Sequence, residues 1–212
     1  MAETALHDDW IYTVLPVRRR AIPRDLARTL ARPSAVEDVA DALDRIGVRT
    51  WADFPATATG TRAFRPRVGP VLTARYVPRR TEGNDARFGH AVIAEVMVRG
   101  DIVLMDASTA AAAPFGGNAA GLLRKSGAAA IVVDGPARDQ DEIEGHGLPT
   151  VASRWGVGRS IRSCELHSIG SAVTCFGVTA HSGDVALLNR FGMTLIPGWI
   201  EWAQVRAFLS PR

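Results

Sequence analysis

Residues 115–139, FGGNAAGLLRKSGAAAIVVDGPARD, contain the pattern on which the fold prediction depends. Two glycines, Gly116 and Gly117, precede a run of helix-forming residues that ends in Arg-Lys-Ser before another glycine, a usual way for a helix to end. The next residues, AAAIVVD, form a short continuous apolar run typical of a strand covered on both faces. The stretch therefore predicts a helix, then a buried strand, then a Gly-Pro turn.

The two ends of this helix–strand unit carry groups that can bind a small anion and a cation. The free amides and the positive dipole end at the start of the helix, Gly116–Ala120, can hold a carboxylate or a phosphate. Arg138 offers a guanidinium for a developing oxyanion, and Asp139 offers a carboxylate for a hard cation. A tight glycine turn and a solvated charged loop are the alternative explanations. The spacing is neither GxGxxG nor a Walker motif, so it does not support nucleotide binding.

Helix and strand patterns alternate on both sides of this unit and predict an α/β layered domain. Ser34 and Glu37 match a capping box at the start of the helix SAVEDVADALDRIG. Residues 1–33 are predicted to be an N-terminal extension with one short helix around Asp25–Leu30, and residues 34–212 to be a single domain. The other predicted elements are the strands VLTARYV, IVLMD, LPTVAS, AVTCFGVT, SGDVALL and MTLIP, the helix HAVIAEVMV, and the amphipathic C-terminal helix WIEWAQVRAF.

The composition is that of a globular protein without membrane spans. Hydrophobic residues make up 47% of the chain and charged residues 22%, and no apolar run approaches the roughly 20 residues that a bilayer requires. The charges around the first apolar stretch are in the wrong order for a signal peptide, so we expect a cytoplasmic protein. Cys164 and Cys175 fit no disulfide framework or metal spacing, and we expect reduced, buried thiols.

Two features of the charged residues narrow the choice of function. The net charge is +3, but the basic residues are scattered and match no recognised nucleic-acid module, which argues against nucleic acid as a partner. Only one lysine, Lys125, is available for Schiff-base chemistry. It lies at the predicted end of a helix, where a cation suits the helix dipole and the solvent. Covalent catalysis through lysine is therefore disfavoured.

Several motifs, taken together, resemble the RraA-like family, which includes class II 4-hydroxy-4-methyl-2-oxoglutarate/4-carboxy-4-hydroxy-2-oxoadipate aldolases. The resemblance runs from about Ser34 to Pro197. The glycine helix start followed by Arg138-Asp139 is the most specific piece, and the other pieces mainly mark the fold. Those pieces are DAL (41–43), RGDIVLMD (99–106), VVDGPARDQDEI (132–143), LPTVASR (148–154) and SGD…GMTLIP (182–197).

The resemblance implies a swivelling β/β/α layered domain, a homotrimer or hexamer, and sites at the subunit interfaces. It implies that Arg138 is catalytic and binds the keto oxygen of a small 2-oxo acid, and that Asp139 is the protein ligand to Mg²⁺ or Mn²⁺. Glu201 is the candidate for a catalytic glutamate supplied by a neighbouring subunit. The substrate-binding residues that it implies, besides Arg138, are Gly116, Gly117, Asn118 and Ala119.

The function that the resemblance implies is that of a metal-dependent carbon–carbon lyase. Such an enzyme cleaves a 4-hydroxy-4-substituted 2-oxo acid to pyruvate and a second keto acid, and can decarboxylate oxaloacetate through the same enolate. The alternatives are a non-catalytic RraA-like regulator that binds another protein, and a divergent lyase of a specialised pathway. Two departures keep the alternatives open. The family pattern has an acidic residue at the position of Gly117, and an acidic run where this chain has Asn189-Arg190-Phe191.

Overall fold

The computed structural model describes residues 3–7, 10–55, 59–60, 64–79 and 86–209, and in these residues it contains 13 strands and six helices. The strands are β1 (Glu3–His7), β2 (Trp10–Val14), β3 (Trp51–Asp53), β4 (Thr59–Gly60), β5 (Arg67–Pro78), β6 (Ile102–Asp106), β7 (Ala130–Ala137), β8 (Thr150–Trp155), β9 (Cys164–Ile169), β10 (Val173–Cys175), β11 (Val178–Ala180), β12 (Val185–Leu188) and β13 (Gly192–Ile196). The helices are α1 (Arg24–Leu30), α2 (Ala35–Arg45), α3 (Ala86–Val96), α4 (Gly117–Ser126), α5 (Gln140–Gly145) and α6 (Trp202–Leu209).

The central sheet has the strand order β1-β2-β9-β5-β6-β7-β8-β4, and strands β5 to β8 run parallel. In β6, Ile102 and Leu104 belong to one hydrophobic cluster, while Val103 and Met105 belong to another. This alternation arises because successive side chains of a strand point to opposite faces of the sheet. The run IVLMD is therefore apolar throughout because both faces of the sheet are covered.

The layers on the two faces of the central sheet differ. Helices α3, α4 and α5 cover one face. The hairpin β10–β11 and the antiparallel strands β12 and β13 cover the other face, and α1, α2 and α6 pack against the outer side of β12 and β13. The long strand β5 joins the two sheet layers, because its first residues pair with β12 and its later residues with β6. The layered α/β prediction is confirmed.

The predicted capping box of α2 is wrong. Ser34 makes no side-chain hydrogen bond to the free amides of the helix, and its hydroxyl lies 3.1 Å from Asp38 Oδ2 instead. The Glu37 carboxylate accepts a hydrogen bond from the side-chain amide of Asn189 at 2.7 Å. A tertiary contact between α2 and the β12–β13 turn therefore replaces the local contact that the sequence pattern favoured.

The predicted Gly-Pro turn is also wrong, because Gly135 and Pro136 lie inside β7. The register of β7 against β8 shifts between Val133 and Pro136, as in a β-bulge, which tolerates a proline without an N–H group. Gly135 has a φ of 152°, and a Cβ atom there would overlap the carbonyl of Ala107. Strand β7 consequently continues as far as Ala137 and delivers Arg138 and Asp139 directly from its end.

Residues 10–33, predicted to be part of an N-terminal extension, pack against the rest of the chain. Strand β2 adds to the central sheet beside β9, and neither β1 nor β2 was predicted. The predicted short helix is α1, Arg24–Leu30. Between them, the Arg19 guanidinium pairs with the fully buried carboxylate of Asp101 at 2.9 Å. The boundary between residues 33 and 34 stays a prediction.

The C-terminal helix packs on the fold, as its apolar residues indicated. Val205 is buried in the cluster formed with α1 and α2, and Trp202 and Phe208 pack against that cluster. The predicted helix WIEWAQVRAF starts at Trp199, whereas α6 begins at Trp202. Residues Trp199–Glu201 lie before the helix. Cys164 and Cys175 are both buried free cysteines, as expected. None of the helices in the described residues is long and apolar enough to cross a membrane.

Candidate active site

The end of β7 and the start of α4 lie side by side at one edge of the central sheet. The Arg138 amide donates to the Phe115 carbonyl at 3.1 Å, and Phe115 forms an isolated bridge with Ala137. This pairing brings Gly116 against the side chains that follow β7. A Cβ atom on Gly116 would lie 2.9 Å from Asp139 Oδ2 and 3.0 Å from Arg138 Cγ. The glycine at this position therefore permits the close approach of the charged pair to the helix start.

Arg138 and Asp139 form an adjacent ion pair at this edge, with 3.3 Å between Arg138 Nε and Asp139 Oδ2. Both side chains are partly exposed, so they can reach a ligand. Asp139 has φ 57° and ψ 45°, a left-handed conformation that is uncommon for residues other than glycine. Its carboxylate turns back to α4, where the Gly117 amide points at Oδ2 over 3.4 Å. The predicted cation ligand and the predicted anion site thus share one corner.

A cleft of about 230 Å³ opens at this corner. Of the six predicted residues of the subunit's own site, five line it, and Gly117 does not. The Gly117 amide is directed at Asp139, which leaves the next amides of the helix start for a ligand. The residues that line the cleft are His90, Ala113, Pro114, Phe115, Gly116, Asn118, Ala119, Leu122, Arg138, Asp139, Arg159, Ser160 and Ile161.

The part of the lining formed by residues 159–161 was not predicted, because this segment has no motif. Arg159 bridges Ala113 through the backbone, and the Ala113 amide donates to the Gly158 carbonyl at 3.1 Å. The Arg154 guanidinium donates to the carbonyls of residues 110 and 111 and ties the end of β8 to the segment before Ala113. Within the described residues, the Arg159 guanidinium forms no salt bridge. The cleft therefore holds a second cation, and this one lacks a carboxylate partner there.

The floor of the cleft is aromatic. The His90 ring lies between Phe115 and Tyr76, with ring centroids 6.1 Å and 6.0 Å away respectively. Burial raises the pKa of the Tyr76 hydroxyl far above its usual value, so this group stays neutral. The aromatic part of the lining lowers the local dielectric, which strengthens the attraction of Arg138 and Arg159 for an anion.

A larger cleft of about 930 Å³ is lined by three consecutive arginines, Arg18–Arg20, but two of them serve the fold. Arg19 is paired with the buried Asp101. Arg20 donates to the Ile200 carbonyl and stacks on Trp202. Burial lowers the pKa of Arg20, and the charge of Glu201 partly offsets that effect. The smaller cleft is the better candidate because the predicted chemistry converges there.

The family of this chain is shown by a match to a family profile. A family profile described as RraA-like, Aldolase/RraA, matches residues 36–194, which is most of the chain. The chain belongs to the RraA-like family. No curated protein matches the sequence.

Solved structures with low sequence identity share this RraA-like fold. Streptomyces coelicolor RraAS2, described as an unusual member of the RNase ES inhibitor RraA protein family, is 20% identical with a TM-score of 0.73, over 92% of each chain. The RNA-processing inhibitor RraA from Thermus thermophilis is 20% identical with a TM-score of 0.58, over 78% of this chain and 94% of its own. A structure described as novel cellulases from gut-associated microbes is 17% identical with a TM-score of 0.74, over 90% of this chain and 86% of that one. These likenesses show the fold alone.

The departure from the RraA-like pattern at Asn189 has a structural cause. Its side-chain oxygen accepts the amides of Phe191 and Gly192 at 2.8 and 3.1 Å, and its NH₂ group donates to Glu37. An aspartate could accept the two amides but could not donate to Glu37. Asn189 therefore closes the β12–β13 turn and does not line the 230 Å³ cleft.

Glu201 lies away from the cleft of its own chain. It is exposed just before α6, where its backbone amide donates to Gln204 Oε1 at 3.0 Å. The residues that line the cleft do not include it. Its assignment as a catalytic residue stays a prediction that requires a neighbouring subunit.

The donors at the corner fit a hard divalent cation that keeps part of its water shell. In the described ranges, no group of three or more His, Cys, Asp or Glu side chains is arranged to hold a metal ion. Asp139 offers one partly exposed carboxylate, and Mg²⁺ is commonly bound by one or two carboxylates together with water and substrate. Asp139 therefore suits Mg²⁺ or Mn²⁺ better than it suits a structural metal with four protein ligands.

Proposed function

We propose that this chain is a divalent-metal-dependent carbon–carbon lyase that releases pyruvate from a 4-hydroxy-4-substituted 2-oxo acid. The observation that carries the proposal is the convergence of Arg138, Asp139 and the start of α4 at one cleft. The left-handed conformation of Asp139 adds support, because strained backbone tends to persist where function requires it. Membership of the RraA-like family, whose description includes aldolase, agrees with this class of reaction.

The residues of the cleft divide the work of binding the 2-oxo acid. The backbone amides of Asn118 and Ala119 bind the substrate carboxylate at the positive end of α4. Arg138 donates to the keto oxygen and stabilises the negative charge that develops there when the enolate forms. Asp139 holds Mg²⁺ or Mn²⁺, which when bound supplies further positive charge for that oxygen. The Gly117 amide fixes the Asp139 carboxylate in place.

Arg159 extends the proposal to the remote end of the substrate. It lines the cleft from the segment that pairs with Ala113, and it has no salt-bridge partner in the described part of the chain. A guanidinium in this position binds a carboxylate on the substituent at C4, or the second carboxylate of oxaloacetate. We therefore infer a dicarboxylic or tricarboxylic 2-oxo acid as the substrate class.

The active form that we propose is a homotrimer or a hexamer. In such an assembly, Glu201 of a neighbouring subunit approaches the cleft and completes the acid–base groups. Light scattering at micromolar protein concentration tests this part of the proposal. A monomer would leave Glu201 with no route to the cleft.

The decisive experiment is an assay of pyruvate release from a panel of 2-oxo acids, with EDTA, Mg²⁺ or Mn²⁺. We expect activity with a divalent cation, none in EDTA, and none in Asp139→Asn with any cation. Oxaloacetate belongs in the panel because its decarboxylation passes through the same enolate. Undiminished turnover in excess EDTA would overturn the metal-dependent mechanism and return attention to Lys125.

A second candidate function is regulation by protein–protein contact. One of the similar structures is described as an RNA-processing inhibitor, and another as an unusual member of the RNase ES inhibitor RraA protein family. One observation favours it. Val157 is 96% exposed and lies two residues before Arg159 in the sequence. An apolar side chain in that position suits a protein partner. Inhibition of an RNA-degrading endonuclease by Asp139→Asn as well as by the wild type, with no pyruvate release by either, would support regulation over catalysis.

A further inference from the structure

Helix α5 fills two notches on α4 that glycines leave open. Gly117 and Gly121 lie one turn apart on α4, and Glu142 and His146 lie one turn apart at α5. A Cβ atom on Gly117 would overlap the Glu142 carboxylate, and one on Gly121 would lie 2.9 Å from His146 Nε2. Glu142 Oε1 and His146 Nε2 are 3.8 Å apart. The Glu142 carboxylate therefore occupies the space where a side chain of residue 117 would begin.

This position places two carboxylates against the backbone of one residue. The Gly117 amide points at Asp139 Oδ2, and the Glu142 carboxylate packs on the Gly117 α-carbon from α5. Two negative charges near one residue repel each other. Arg138 lies 3.3 Å from Asp139, whereas the partner of Glu142 is His146 at 3.8 Å, which is positive only when protonated. Glu142 is not buried as a packing residue would be, because its side chain is 51% exposed. A divalent cation held by Asp139 would relieve that repulsion, and Glu142 is the second acidic group that packs on Gly117.

We propose that Glu142 is the second carboxylate of the metal corner and strengthens the binding of the cation through its water shell. The inference rests on the function proposed above, because it assumes that Asp139 holds a divalent cation. It assigns this role to a residue of the same subunit, whereas Glu201 would need a neighbouring chain. It also gives the glycine at 117 a function, since any larger residue there would displace the Glu142 carboxylate.

The first test measures the dissociation constant of Mn²⁺ on the full chain by titration, with the free ion followed by electron paramagnetic resonance. Partners in the outer shell of a metal typically change its affinity about 10–100-fold. We therefore expect Glu142→Gln to weaken Mn²⁺ binding at least about tenfold, and Asp139→Asn to abolish it. Asp141→Asn is the matched control, because it removes the same charge from the neighbouring exposed residue of α5. It should leave the dissociation constant within about twofold of the wild type.

The second test leaves Glu142 unchanged and displaces its carboxylate by a substitution on α4. In Gly117→Ala the new methyl group takes the place of the Glu142 carboxylate, while alanine favours the helix. We expect Mn²⁺ binding to weaken as in Glu142→Gln, with an unchanged or raised melting temperature. Gly145→Ala is the control for this change, because a Cβ atom on Gly145 meets nothing within 4 Å. Its Mn²⁺ affinity should equal that of the wild type.

The outcomes separate this inference from the proposed function. Equal Mn²⁺ affinity in the wild type and Asp139→Asn overturns the metal site itself. A loss of affinity in Asp139→Asn with wild-type affinity in both Glu142→Gln and Gly117→Ala overturns only the role of Glu142. A lowered melting temperature in Glu142→Gln with unchanged affinity identifies Glu142 as a packing residue and overturns the inference as well.

Discussion

The Oδ2 atom of Asp139 lies 3.4 Å from the amide nitrogen of Gly117, so the carboxylate at the end of β7 bonds to the first turn of α4. Asp139 makes this contact in a left-handed conformation, with φ 57° and ψ 45°. The same atom is 3.3 Å from Arg138 Nε. The predicted cation ligand, Asp139, therefore contacts both the predicted oxyanion ligand, Arg138, and the start of α4.

Replacement of Asp139 should separate its chemical role from its conformational role. Asn tolerates the left-handed region, so Asp139→Asn should fold normally but lose metal-dependent pyruvate release, because a neutral amide is a poor ligand for a hard cation. Asp139→Ala should lose activity and also about 1–2 kcal/mol of unfolding free energy, since alanine is strained at a positive φ. Denaturant unfolding and the pyruvate assay on both variants check this. Equal stability of the two variants would contradict the conformational part.

Arg138→Lys should fail as a substitute for the wild type. A compact ammonium group cannot reproduce the guanidinium fork, and charge develops on the keto oxygen only in the transition state. We expect kcat to fall about 10²–10³-fold, or roughly 3–4 kcal/mol, with a smaller change in KM. The melting temperature should fall by no more than about 2–4 °C, because a partly exposed ion pair contributes at most about 1 kcal/mol. A lowered melting temperature with normal kcat would show that the Arg138–Asp139 pair stabilises the fold and does not take part in catalysis.

Arg159→Gln should weaken the binding of dicarboxylic 2-oxo acids selectively. A hydrogen bond to a charged group is worth about 1.5–3 kcal/mol, so the dissociation constant of 2-oxoglutarate should rise about 10–150-fold. The dissociation constant of 2-oxobutyrate, which has one carboxylate, should change little. Calorimetric titrations with Mg²⁺ present give both constants. Arg162→Gln, an exposed neighbour outside the cleft, serves as the control. An equal loss for the two ligands would assign Arg159 to general folding or to the common carboxylate.

Arg19→Ala should destabilise the protein far more than Arg49→Ala. Loss of Arg19 leaves the fully buried Asp101 carboxylate with the Val98 amide but without its cation, which we expect to cost about 3 kcal/mol. Arg49 and Asp44 are 80% and 48% exposed, so their separation should cost at most about 1 kcal/mol. Chemical denaturation measures both values. Similar losses in the two variants would mean that residues 10–33 add little to the stability of the fold.

The two cysteines should be inert in the native state. Burial raises the pKa of Cys164 to about 11 and that of Cys175 well above its usual value. The reactive thiolate of Cys164 is therefore only about 0.1% of the total at pH 8. Iodoacetamide at that pH should modify neither residue in folded protein and both after denaturation, as measured by mass spectrometry. Rapid modification of one cysteine without denaturant would contradict the buried environment.

The local sequence pattern was sufficient to predict those elements whose apolar residues match the burial found in the structure. The uninterrupted apolar run IVLMD predicted a strand covered on both faces, and β6 is buried on both faces. The glycine at the end of α4 marks that end in the sequence as in the structure. The Arg138-Asp139 pair could be assigned to the site because it follows an apolar strand directly. Local pattern misled at Ser34–Glu37 and at Gly135-Pro136. In each case a contact with a distant segment, through Asn189 or Ala107, prevailed over the local preference.

By itself, the sequence determined the layered α/β class, the helix–strand unit and the charged pair that forms one side of the cleft. Only the tertiary structure decided the rest of the cleft, where His90 comes from a predicted helix that was not assigned to the site and Arg159 from a segment without a motif. Only the tertiary structure placed Glu142 in the notch at Gly117. The physical reason is that apolar periodicity depends on neighbours a few residues apart, which the sequence displays directly. The meeting of α4, α5 and the segment at 158–161 depends instead on the packing of whole elements, and no short pattern records it.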